Sequence, residues 1–74
     1  MTDLVRRAEA AQRILDDPTM QEVFDALDAE YVRIWRRAID LGERERAHAG
    51  QAALAAIRKQ VQIFADEREI AERL

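Results

Sequence analysis

Residues 47–64, AHAGQAALAAIRKQVQIF, decide the fold. Within them Ala47, Gly50, Leu54, Ile57, Val61 and Phe64 recur at spacings of three, four, three, four and three, the rhythm that keeps one seam of a helix turned toward a second helix. A mid-helix glycine costs about 1 kcal/mol relative to alanine, so Gly50 predicts a bulky side chain seated over it. Upstream, Met20, Val23, Phe24, Leu27, Tyr31, Ile34, Trp35, Ala38 and Leu41 form a second apolar stripe at helical spacing. The two stripes can be laid antiparallel with facing residue numbers adding to about 84 or 85. This sets Ala38 against Ala47, Trp35 against Gly50, Tyr31 against Leu54, Leu27 against Ile57, Phe24 against Val61 and Met20 against Phe64. The expectation is a hairpin with a core of Met20, Phe24, Leu27, Tyr31, Trp35, Gly50, Leu54, Ile57, Val61 and Phe64, in which the tryptophan fills the room left by the glycine.

Working outward, Leu4, Ala8, Ala11 and Leu15 share one face of a shorter helix. It ends at Asp16-Asp17-Pro18, where proline disfavours helical angles in the preceding residue and is itself suited to a first helical position. Asp17 therefore reads as an N-cap. Gly42 fits the position just past a helix whose last turn holds Arg36 and Arg37. No Ser, Thr or Asn stands ahead of the next segment, which leaves one continuous long helix as the alternative there. The expectation is a single all-α domain over residues 1–74, with helices at about 3–16, 18–41 and 43–72.

Composition agrees: two Gly, one Pro and 36% charged residues among 74 describe a helical chain and not a disordered one. With no cysteine, neither a disulfide framework, a thiolate zinc site nor a cysteine nucleophile is available. The longest uncharged stretch, Ala47–Ile57, is too short to span a bilayer. Asp3 and Glu9 interrupt any secretory leader. A soluble, non-secreted chain without membrane contact is expected.

Charge is unevenly placed. Residues 1–32 carry three Arg against eight acids, residues 33–65 seven bases against three acids, and residues 66–74 two Arg against four acids. Such alternation favours head-to-tail or antiparallel matching between copies over binding a polyanion. A second apolar line, Ala49, Ala53, Ala56, Ile63, Ile70 and Leu74, lies one residue before the main seam, and Val32 and Ile39 are similarly displaced on the preceding helix. The first helix folding back is one way to cover this surface. Association with another chain is the other, and it is the common remedy for a small chain without disulfides or metal. Val32, Ile39, Ile63, Ile70 and Leu74 are therefore the expected protein contacts.

Chemistry-bearing residues are sparse. His48 is the only histidine and sits off the seam without a ligand set around it. Asp16 and Asp17 could form a carboxylate pair, but capping accounts for them. No phosphate loop, nucleophile elbow or zinc-protease motif is present, so neither an enzymatic activity nor a cofactor is expected. Arg33, Arg36, Arg37, Arg44 and Arg46 gather near the turn and could contact phosphates, although Glu30 and Asp40 stand where ordinary helix-surface pairs would form.

The segment Leu15-Asp16-Asp17-Pro18-Thr19-Met20-Gln21-Glu22-Val23-Phe24-Asp25-Ala26-Leu27, followed by Tyr31 and Trp35, resembles small helical proteins of the morphogenesis gene clusters of tailed bacteriophages and prophages, among packaging, portal and head genes. The likeness is best over residues 12–37. It implies a virion or assembly component, in the particle or the host cytoplasm, whose partners are copies of itself or head and portal proteins. The leading expectation is thus a non-enzymatic, oligomeric structural or assembly protein. Two alternatives are a nucleic-acid-binding packaging accessory similar to small terminases, with the turn arginines on phosphate, and a small regulatory inhibitor that docks in another protein's groove.

Overall fold

In the computed structural model, which describes residues 2–73, the protein is all-α. Helix α1 spans Thr2–Asp16, α2 spans Pro18–Arg37 and α3 spans Leu41–Arg73. No strand occurs among the described residues.

The α1–α2 break follows from two adjacent residues. Asp17 is extended (φ −77°, ψ 115°), its Oδ1 accepts from the Thr19 amide at 2.8 Å, and Pro18 opens the helix. Proline's missing N–H is no loss there, because first-turn amides lack intrahelical partners in any case. Gln21 reinforces the corner by donating from Nε2 to the Leu15 carbonyl at 2.8 Å.

The second turn differs from expectation. Helix α2 ends at Arg37, Ala38 is already extended (φ −65°, ψ 126°), and α3 starts at Leu41. Asp40 is the cap: its Oδ1 accepts from the Gly42 amide at 3.0 Å, and its carbonyl accepts from the Arg44 amide at 3.1 Å. Gly42 consequently lies inside the first turn of α3, with no left-handed backbone angle. The Arg44 guanidinium closes the turn by donating to the Ala38 carbonyl at 3.2 Å. An acid four residues before an arginine, a pattern usually found on a helix surface, here holds the turn itself.

Helix α3, 33 residues long and so about 50 Å, sets the 52 Å long axis of a 52 × 22 × 15 Å molecule. The radius of gyration, 16.1 Å, far exceeds the value of about 11 Å for a compact chain of this length. Both α1 and α2 pack on α3 and touch each other only slightly. Helix α1 lies along the C-terminal half, where Arg7 pairs with Glu67 and covers Phe64 (4.1 Å to the ring centroid) and Glu9 reaches Arg68 at 4.0 Å. Helix α2 lies along the N-terminal half. The molecule is therefore an antiparallel hairpin whose first leg is broken at Asp17.

The register of the α2–α3 pair is shifted from the sequence alignment by nearly one helical turn. Tyr31, not Trp35, sits over Gly50: a Cβ on Gly50 would lie 2.5 Å from Tyr31 Cζ and 2.8 Å from Cδ1. Trp35 moves to the edge and stacks on His48, centroids 5.0 Å apart and planes 29° apart. Asp28 accepts from Gln51 at 3.2 Å and Asp25 pairs with Arg58 at 2.9 Å. Facing numbers thus add to 79–83. Phe64, expected opposite Met20, lies instead beneath Arg7 of α1.

The core also differs in kind. Its buried members are Ala8, Ala11, Ala38, Ala47, Ala65 and Ala71 with Phe24 and Leu54, and no large side chain is fully enclosed. Met20, Tyr31, Trp35, Gly50, Val61 and Phe64 are half-buried. Leu27 and Ile57, both expected in the core, are 43% and 54% exposed. Small residues line the seam at the tip, Ala38 with Ala47, and along α1, while its middle holds Phe24, Leu54, Tyr31 and Val61; Leu27 and Ile57 lie to one side of that line, at the rim.

Candidate interaction surface

Successive residues on a helix turn by about 100°, so Asp25 and Asp28 lie to one side of the Phe24–Tyr31 line and Val23 and Leu27 to the other. The α2–α3 layer therefore has two unlike faces. One carries the Asp25–Arg58 ion pair, the Asp28–Gln51 hydrogen bond and the Trp35–His48 stack, with Arg58 also lying over the Phe24 ring at 4.8 Å. Asp25, Asp28, Gln51 and Arg58 thus find their partners within the chain, while the buried Trp35 Nε1–H does not.

The opposite face carries Val23, Leu27 and the half-buried Ile34 from α2, and Ala53 and Ile57 from α3. Val23 is 42% exposed, and with Leu27 and Ile57 it forms an aliphatic strip beside the Tyr31–Gly50 contact. None of the three belongs to the contact set read from the sequence.

The expected contact residues are dispersed. Val32 is half-buried on the polar face. Ile39, 99% exposed, stands at the hairpin tip beside Leu41. Ile63 and Ile70 are exposed on the outer side of α3, in a line with Ala49 and Ala56 that repeats every seventh residue. Leu74 lies outside the described residues.

The arginines near the turn are partly occupied. Arg33 pairs with Glu30, Arg44 holds the Ala38 carbonyl, and the Arg36 guanidinium lies 6.0 Å from the Trp35 ring centroid. Among the described residues Arg37 and Arg46 make no ion pair. Asp40, Glu43 and Glu45 are interleaved with them, so the tip is mildly and not strongly basic.

Among the described residues, one surface concavity is lined by Asp3, Leu4, Arg6 and Arg7 and another by Leu15, Gln21, Phe24, Arg58 and Gln62. Neither assembles a nucleophile with a base. Among the described residues no group of three His, Cys, Asp or Glu side chains is placed to hold a metal ion, and no helix is long and apolar enough to cross a membrane. Comparison with protein-family models, with curated proteins and with solved structures found no significant match to this chain.

Proposed function

We propose that this protein is a non-enzymatic helical assembly module that acts by self-association through the apolar face of the α2–α3 pair. The observation that carries the reading is that Val23, Leu27 and Ile57 remain 42–54% exposed together on one face of the α2–α3 pair. Isolated exposed aliphatics are ordinary, but a contiguous set on one face of a small chain marks a contact surface.

Surface area supports the same reading. The chain exposes 5619 Å², against about 4,700 Å² for a compact monomer of its mass. The excess, about 900 Å², is close to the roughly 800 Å² that each partner contributes to a standard protein–protein interface. The resemblance of residues 15–27 to phage morphogenesis proteins adds an assembly setting, in which copies of the chain or head and portal proteins are the partners.

The test is mass in solution with and without the strip. Size exclusion with light scattering should give a multiple of 8.5 kDa for the natural sequence and a single-copy mass for Leu27→Asp and Ile57→Asp, with helical content retained. A natural chain that stays at one copy across the micromolar range removes the proposal.

A further inference from the structure

We infer that the partner on this face is a second copy lying antiparallel along the full length of the first, related by a two-fold axis near Ile57. The inference rests on the self-association reading and adds to it an orientation and a register.

The strip sits at mid-length. Helix α3 runs from 41 to 73, so Ile57 is its middle residue, and in the observed register it falls between Val23 and Leu27 of α2. A two-fold contact uses the same patch on both copies, so a patch at the midpoint allows complete overlap of the two rods. Complete overlap is available in two ways, with the copies parallel or antiparallel, and charge distinguishes them.

The tip, residues 33–46, holds five Arg against three acids; the far end, residues 2–16 with 63–73, holds five Arg against seven acids. Parallel packing would set tip on tip and far end on far end, like against like. Antiparallel packing sets each mildly basic tip beside the partner's acidic end, the arrangement that complementary potentials favour. It also brings Ile39 and Leu41, 99% and 67% exposed at the tip, level with the far end of the second copy.

Because the chain has no cysteine, single labels are unambiguous. Glu45 and Glu69, both exposed, stand 12 residues to either side of Ile57. Spin labels on Glu45→Cys in both copies should be about 35 Å apart along the axis, from 1.5 Å per residue, and a mixed sample of labelled Glu45→Cys and labelled Glu69→Cys should add a distance below about 20 Å. A multimeric mass with a Glu45–Glu45 distance below about 20 Å overturns the antiparallel arrangement and leaves self-association standing. A single-copy mass overturns both.

Discussion

Substituting Gly50 by alanine tests the register of the two legs directly. At an exposed mid-helix site the change would stabilise by about 1 kcal/mol, because alanine restricts the unfolded chain and favours helix. In this fold the added methyl would stand 2.5 Å from Tyr31 Cζ and 2.8 Å from Cδ1, where carbon pairs settle at about 3.5–4.0 Å. The obstacle is a planar ring held over the α3 backbone, so relief requires the ring or the helix to move by about 1 Å. Overpacking of this kind costs typically 1–3 kcal/mol.

Set against the propensity gain, the net effect of Gly50→Ala should be a loss of about 1 kcal/mol, with an upper range near 2. For a chain of this size that lowers Tm by roughly 4–15 °C. The assay is circular-dichroism melting and urea unfolding at one fixed protein concentration, since association would otherwise shift the midpoint. Adding Tyr31→Leu should recover most of the loss, and the coupling between the two changes should exceed about 1 kcal/mol. Gly42→Ala is the control: its Cβ would meet only side-chain ends, Arg46 Nη1 at 3.4 Å and Asp40 Oδ1 at 3.6 Å. Stability there should hold or rise. A Gly50→Ala protein more stable than the natural one, or rescue by truncating Trp35 and not Tyr31, would refute the described contact and restore the register read from the stripes.

Two further outcomes follow from local geometry. Asp17→Ala and Asp40→Ala each remove a side-chain acceptor from a helix N-terminus and should each cost about 1 kcal/mol in urea unfolding; because α2 separates them by about 30 Å, the double variant should show the simple sum, and strong coupling would argue that one turn depends on the other. Trp35→Phe removes an indole N–H that is buried without a hydrogen-bond partner, a burden of about 1–3 kcal/mol, so its stability should stay within about 1 kcal/mol of the natural chain, and a loss beyond about 2 would show that the N–H is bonded after all.

The first break was legible in the sequence because it is set by short-range chemistry. Asp17 and Pro18 act on their own backbone and their nearest amides, and no tertiary context is needed to read them. The α2–α3 turn lies at residues 38–40, about one helical turn before the place suggested by Gly42, which is inside α3 and terminates no helix. The aspartate two residues before it is the stronger signal, and Asp40 followed three residues later by Glu43 is the spacing of a capping box.

Register was not legible from the stripes. Periodicity determines which side of a helix turns inward, but a slip of three or four residues along the axis returns almost the same side, so the apolar pattern tolerates both alignments. Gly50 demanded a large ring, and both Tyr31 and Trp35 offered one. A polar contact separates them: Asp28 and Gln51, whose numbers add to 79, meet only in the observed slip, and the other alignment would set them more than a helical turn out of level. Polar contacts place helix α1 along α3 as well, Arg7 with Glu67 and Glu9 with Arg68.

The small core ties these differences to the proposed role. With Ala38 and Ala47 at the tip end, Ala8, Ala11, Ala65 and Ala71 at the other, and Phe24 and Leu54 the large buried side chains between them, the helices bury little apolar area per residue. A chain built this way hides too little of its own surface to be well stabilised alone, yet it keeps valine, leucine and isoleucine at the rim, where their full transfer energy is available to a neighbour, about 1.5–3 kcal/mol for each side chain fully covered. An isolated rod gains nothing from that placement. A second rod laid on the same face turns the rim into a core, so the features that make the monomer loose are those that would make the assembly tight.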